Sequence, residues 1–342
     1  MFKGVFYALL GALLFGASTP LAKSLLPQMT PLLLAGLLYL GSGVGLAVYS
    51  FLRSRRSDSS RNEAALTRED APWLAGAIVA GGVVGPVLLM WGLAATPASS
   101  ASLLLNLEGV LTALLAWFVF KENFDRRIAL GMALIAAGGV SLSWTGRLES
   151  GVPWSSLAIV GACLAWAIDN NLTRKVSAGD PVQIAMLKGL VAGSVNTGLA
   201  LALGAKLPSA SSLLATGVVG FFGYGVSLTL FVLALRHIGT ARTGAYFSIA
   251  PFVGAAISIL FLGDTLTIGF IVAAVLMALG VWLHLTEHHG HEHRHEPMEH
   301  KHHQHTHRPN DPPGEPHTHW HRHEELVHTH QHYPDIHHRH TH

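Results

Sequence analysis

The strongest constraint on this chain is a row of ten apolar runs, each roughly 18–23 residues long, that fills the sequence before position 286. Runs of that length cross a hydrocarbon core about 30 Å thick. Spans are expected near 4–22, 31–52, 72–95, 99–120, 127–145, 155–175, 183–203, 211–235, 241–262 and 267–285. Charged residues make up 12% of the chain and gather between the runs; a soluble domain carries about 25%. A soluble stack of helices would need a polar outer face, which these runs lack. The expected class is therefore all-α and polytopic in a membrane. The single cysteine, Cys163, excludes an intramolecular disulfide framework and reads as a small apolar filler.

The runs also repeat. Sliding residues 100–123 onto 242–265, a shift of 142 positions, brings Gly109 onto Pro251, Ala113 onto Ala255 and Glu122 onto Asp264. The next helices keep the frame, so Leu134, Ala136 and Gly138 meet Leu276, Ala278 and Gly280. ALLGALLFGA at 8–17 resembles AIVGACLAWA at 158–167, which marks the first run as a retained repeat element rather than a cleaved leader. The expected division is a first repeat at 4–145, a second at 155–285 and a tail at 287–342.

Lys and Arg orient the spans. With the N-terminus in the cytoplasm, inner segments hold fourteen of these residues and outer segments only Lys23, Arg147 and Lys206. Ten spans return the C-terminus to the cytoplasm. Five spans per repeat make the two halves inverted, with Glu122 at the inner face and Asp264 at the outer. Gly41/Gly45, Gly81/Gly85 and Gly189/Gly193 have the spacing of close helix contacts. Pro20, Pro86 and Pro251 each free a carbonyl, as a kink or as a broken helix. Trp91, Trp144, Trp154 and Trp282 stand near span ends, where indole rings anchor at the interface.

Ten spans in two inverted halves resemble the drug/metabolite transporter superfamily, and more closely its EamA-type family. In each half, small residues lead to Gly or Pro, an acid and a final Gly. The pattern runs through Gly109, Glu122 and Gly138, then Pro251, Asp264 and Gly280. The resemblance covers about residues 4–285. It implies two five-helix EamA-like repeats and a secondary carrier in the inner plasma membrane, often an exporter of metabolites or amino-acid-like solutes, with its site between the halves. Gly109 stands where the family usually has proline, and Asp264 where it usually has glutamate.

Two acids lie deep in spans, where a charge is costly and functional by default. Glu108 is roughly 13 Å and Asp169 roughly 21 Å from the outer face, at 1.5 Å per residue. Desolvation disfavours a charged carboxylate at such depth, which suits it to proton coupling; the alternative is a polar knot, with Asp169 paired to Arg174, Lys175 or Lys188. Lys188 either snorkels to the inner headgroups or meets an anionic substrate. Asn106, Asn170, Asn171, Asn196, Tyr224, Tyr246 and Ser248 are candidates for a cavity lining or for helix packing. No G-x-x-x-x-G-K-[ST] run is present, which argues against ATP-driven transport within this chain, and no feature points to nucleic acid.

The tail differs in kind. It holds 21 of the 23 histidines, with Pro-rich stretches and few apolar residues, and is expected to be disordered without a ligand. His-x-His recurs at His291/His293/His295, His305/His307, His317/His319/His321/His323, His328/His330 and His340/His342. Neutral imidazoles suit Zn, Ni, Co or Cu, so a divalent metal is expected on the tail although no cofactor is required. The expected activity is proton-linked export of a small polar metabolite, with the tail responding to metal; the chain is not expected to be an enzyme. Two alternatives stay open: a carrier of Zn, Ni or Co with the tail as ion collector, and a non-transporting metal sensor. The expected partners are a small-molecule substrate, the lipid bilayer and divalent metal ions, with a homodimer left open.

Overall fold

The computed structural model describes residues 2–54, 66–120, 126–143, 153–176, 179–285, 290–295, 298–302, 319–323 and 326–331. Residues 1–287 form one compact helical unit and 288–342 a second unit. In the first unit the helices are α1 (Phe2–Leu25), α2 (Pro31–Ser54), α3 (Ala71–Ala77), α4 (Gly85–Ala95), α5 (Ala98–Leu104), α6 (Leu107–Phe120) and α7 (Arg126–Ser143). They continue with α8 (Trp154–Val176), α9 (Pro181–Ala202), α10 (Ala210–Gly220), α11 (Ser227–Phe247), α12 (Ala250–Ile257) and α13 (Ile268–Leu285). Among the described residues, six helical stretches are long and apolar enough to cross a membrane: 3–28, 31–53, 71–95, 98–115, 181–202 and 210–234. Shorter apolar helices cover 129–143, 250–262 and 268–283.

The outer surface is apolar. Leu9, Leu13 and Leu21 of α1, Val44, Val48 and Phe51 of α2, and Val191, Val195 and Leu199 of α9 are all exposed. The polar residues Ser18, Ser42, Asn196, Thr216 and Ser227 are buried instead. This inside-out distribution fits lipid as the solvent, because association in a bilayer relies on close packing and interhelical hydrogen bonds.

The helices depart from regular α geometry twice at the same place in each half. Wider π-type turns span Ile78–Val84 between α3 and α4, and Phe221–Val226 between α10 and α11. The 142-residue shift carries the first onto the second almost residue for residue. The same shift carries the break at Leu105 and Asn106 onto Phe247 and Ser248, within one residue of the break at Ser248 and Ile249. Helix pairing follows the repeat: α2 packs on α9 and α7 on α13, while α1 on α11 is matched by α8 on α4.

One boundary moves. A break was expected near 236–240, but α11 runs unbroken to Phe247. The reason is Pro251, which sits in the first turn of α12. It lacks the N–H that would bond the Phe247 carbonyl four residues back, so the chain breaks at 248–249. In the tail, β1 (Gly290–His295) pairs antiparallel with β4 (Leu326–Gln331), and β2 (Met298–His302) with β3 (His319–His323). Alternating His-x-His has the two-residue period of a strand.

All six glycines singled out by spacing lie at helix contacts. A Cβ on Gly41 would meet Gly217 at 2.6 Å, on Gly189 would meet Gly43 at 2.5 Å, and on Gly193 would collide with Leu40. A Cβ on Gly45 would meet Phe221, on Gly81 Asp169, and on Gly85 Trp166. Gly189→Ala should therefore force α2 and α9 apart and cost about 1–3 kcal/mol. Gly198→Ala, on the same helix with open space around it, should stabilise by up to about 1 kcal/mol through helix propensity. Thermal unfolding of the two variants in detergent checks the contrast, and equal melting temperatures would count against the close α2–α9 packing.

Candidate functional site

The deep acids come together at the seam between the two halves. Glu108 lies in the first turn of α6, just past the helix break. Asn106 makes that break: its Nδ2 donates to the Leu103 carbonyl at 3.0 Å, so its amide serves the backbone in a buried position rather than a cavity. Across the seam, Asp169, Asn170 and Asn171 share α8. Asn170 Nδ2 donates to Glu108 Oε1 at 2.8 Å and reaches Thr112 Oγ1 at 3.5 Å. Asn171 Nδ2 donates to the Ala167 carbonyl at 2.8 Å and to the Thr112 carbonyl at 3.5 Å.

Asp169 is paired with Lys188. The Lys188 ammonium donates to Asp169 Oδ1 at 2.6 Å and to Oδ2 at 2.7 Å. Thr173 Oγ1 adds a bond to Asp169 Oδ1 at 2.8 Å and accepts from Lys188 at 3.2 Å. The two charged side chains are only 7% and 8% exposed. Of the three cations weighed as partners for Asp169, Lys188 occupies the position, and it neither snorkels nor stands open. Asn170, which holds Glu108, directly follows Asp169 in α8, so the two acids lie in one neighbourhood.

A wide turn supports this cluster. Pro86 lacks the N–H that would close the helix onto the Gly81–Gly82 region. The released carbonyls are taken by side chains from three helices. Tyr39 Oη (α2) and Trp166 Nε1 (α8) both donate to the Gly81 carbonyl, at 2.8 and 2.9 Å. Asn196 Nδ2 (α9) donates to the carbonyls of Gly82 at 3.3 Å and Val83 at 3.2 Å. Asn196 is fully buried and so braces the turn. Tyr224 is buried against Tyr39 and Phe15, with ring centroids 5.4 and 6.0 Å away. Ser248 sits at the second helix break and is half-buried, as is Tyr246.

Thr112, Thr173, Tyr39 and Trp166 were not singled out in the sequence. The two threonines carried a readable signal, because each stands four residues after a deep acid and so on the same helix face. Tyr39 and Trp166 carried none. Arg174's side chain lies outside the described residues, as do His305, His307, His317, His340 and His342. The strands β1–β4 hold His291, His293, His295, His319, His321, His323, His328 and His330. Among the side chains described, no group of three or more His, Cys, Asp or Glu gathers around a common point.

One end of the bundle is held by opposite charges. Lys23, near the end of α1, donates to the carbonyls of Leu93, Ala94 and Thr96 at 2.5, 3.2 and 3.0 Å. Asp264 Oδ2 accepts from the Ser99 amide at 2.8 Å. A cation at the C-terminus of α4 and an anion at the N-terminus of α5 each complement a helix dipole.

A helical, apolar-surfaced bundle in two matched halves, with ionisable groups at the seam, defines the class as a multi-pass membrane transporter. The EamA-like transporter family profile matches twice, at residues 2–144 and 153–286, and the chain belongs to that family. It is 28% identical to an uncharacterized transporter of Methanothermobacter thermautotrophicus, over 79% of this chain and 82% of that one. It is 26% identical to the uncharacterized inner membrane transporter YedA of Escherichia coli, over 74% of this chain and 83% of the relative. A probable amino-acid metabolite efflux pump of Salmonella typhimurium is 26% identical over 55% of this chain and 68% of that protein. A solved crystal structure superposes with a TM-score of 0.59 at 18% identity, covering 81% of this chain and 94% of the other, which supports the fold.

The buried pair gives a direct test. Removing one partner leaves an uncompensated charge, so Lys188→Met should destabilise by about 3–5 kcal/mol. Asp169→Asn combined with Lys188→Met should recover most of that loss. Thermal unfolding in detergent decides; a harmless Lys188→Met would mean that the pair does not hold the bundle.

Proposed function

We propose that this chain is a secondary carrier of the inner membrane that exports a small polar metabolite in exchange for protons. In this reading ten spans cross the bilayer as two inverted five-helix repeats, 4–145 and 155–285, with both termini in the cytoplasm. The His-rich tail, 287–342, lies on the cytoplasmic side and makes transport responsive to divalent metal. The inversion is supported by the odd span number per repeat and by the excess of Lys and Arg in alternate loops. The amino-acid metabolite named for the Salmonella relative suggests amino-acid derivatives as the first solutes to try.

The observation that carries the reading is the bond between Glu108 of the first repeat and Asn170 of the second, beside the Asp169–Lys188 pair. Asp169 already has a counter-charge. Glu108 has only neutral donors at bonding distance among the described contacts, so it is the carboxylate whose charge can change without stranding a lysine. Protonation of Glu108 would remove its repulsion with Asp169 and weaken its hold on Asn170, loosening one repeat from the other. Deprotonation would restore both. A proton taken up on one side and released on the other can in this way bias the seam between two arrangements.

Everted vesicles carrying the full chain test this with a panel of labelled amino acids and their acylated derivatives, at several imposed pH gradients. Gradient-dependent accumulation of one of these solutes is expected. Glu108→Gln, fixed in the neutral form, should lower gradient-driven flux about tenfold, equivalent to about 1.4 kcal/mol, and leave the remainder insensitive to pH. Full pH dependence in Glu108→Gln would overturn the coupling role. Gradient-driven accumulation of labelled Zn, Ni or Co in the same vesicles would favour the metal-carrier reading.

A further inference from the structure

The tail contains a second, shorter repeat. Residues 291–302 read HEHRHEPMEHKH and residues 319–330 read HWHRHEELVHTH. A shift of 28 positions aligns His291, His293, Arg294, His295, Glu296, His300 and His302 with His319, His321, Arg322, His323, Glu324, His328 and His330. A tract that only needed many histidines would have no reason to keep Arg, Glu and the intervening gap in register.

The strand pairing uses this repeat. β1 and β2 come from the first copy, β3 and β4 from the second, and each copy pairs with the other in antiparallel fashion. The two ladders share one register: His295 faces Leu326 and, three residues further along, Met298 faces His323. His291 is thus opposite His330, and His293 is opposite His328. His302 is opposite His319, and His300 is opposite His321. The 28-residue shift converts the first pair of pairings into the second, so the two ladders are equivalent halves of one pseudo-two-fold arrangement.

We propose that the duplicated module forms two equivalent divalent-metal sites, one at His291, His293, His328 and His330 and the other at His300, His302, His319 and His321. Residues two apart in a strand share a face, and directly opposed residues have Cβ atoms about 4.5–5.5 Å apart. Each set therefore brings four imidazole-bearing positions to one face of a ladder. Four nitrogen donors in a compact set fit the tetrahedral preference of Zn; Ni, Co and Cu accept the same donors. Each site takes half of its ligands from each copy, so metal would clip the two copies together. An isolated two-stranded ladder is marginal in water, and a bound ion supplies the missing stability. This deepens the metal-responsive part of the proposed function by naming the ligand sets and their number.

The test measures Zn binding to the purified full chain by equilibrium dialysis, with a chain ending at Glu287 as the blank. Two tight equivalents per chain are expected. The double variant His291→Ala/His293→Ala should lose one. The double variant His328→Ala/His330→Ala should lose the same one, and all four substitutions together should still lose only one. Substituting His305 and His307 should leave both. If the two double variants remove different equivalents, so that their losses add, each copy binds metal alone and the cross-copy pairing is overturned. No binding above the blank would overturn the sites altogether. Transport is not part of this measurement, so a failure of metal regulation, read from flux, is distinguishable from a failure of the sites.

Discussion

Everything deep in this bundle depends on one buried ion pair and the space made for it. Asp169 and Lys188 meet at 2.6 Å with almost no exposure. A pair of that kind holds together only if the remaining lone pairs and protons are satisfied, and Thr173 supplies two of the contacts. The carboxylate also needs room. It gets that room from Gly81, where a Cβ would collide with Asp169 Oδ2. Gly81 lies in the wide turn that Pro86 opens, and the carbonyls that turn releases tie in Tyr39, Trp166 and Asn196. One imperfection in α3–α4 thus gathers α2, α8 and α9 around a charge.

The fold is symmetric and the site is not. The 142-residue repeat governs helix pairing, the matched wide turns at Ile78–Val84 and Phe221–Val226 and the two helix breaks, while a third wide turn, Ser258–Leu262, has no counterpart among the described residues. Yet the 142-residue shift carries Glu108 onto Ala250, and the 150-residue match of the first helices carries Asp169 back onto Thr19. Both acids have lost, or never had, a counterpart. A symmetric scaffold can adopt two related arrangements, while an asymmetric charge cluster makes the two differ in energy. That combination suits a carrier whose equilibrium is set by protonation.

Much of this was legible in the sequence, for physical reasons. Apolar runs report the solvent, so the class followed from length and charge placement. Glu108 and Asp169 stood out because buried charges are rare, and Lys188 was among three cations named for Asp169. What failed to show was geometry across helices. Nothing around Tyr39 or Trp166 reports that both point at one carbonyl, because aromatic residues in spans are common. Asn106 was open to a cavity or a packing role because its side chain is polar, and an amide beside a helix break competes for local backbone. The break at 248–249 was hidden because α11 runs through two glycines and three threonines.

The central claim is that the Glu108–Asn170 seam opens to one side of the membrane at a time. Cys163 is the only cysteine and is buried, so a Cys163→Ser background is clean for labelling. Thr112→Cys in that background puts a thiol one turn beyond Glu108 and leaves the Glu108–Asn170 bond in place. The measurement is its reaction rate with a membrane-impermeant maleimide, in everted and in right-side-out vesicles, across a range of pH. Reaction from either side, with the favoured side changing as pH changes, is the result predicted. A thiol that stays unreactive from both sides at every pH would place the seam in packed protein or lipid and contradict the account.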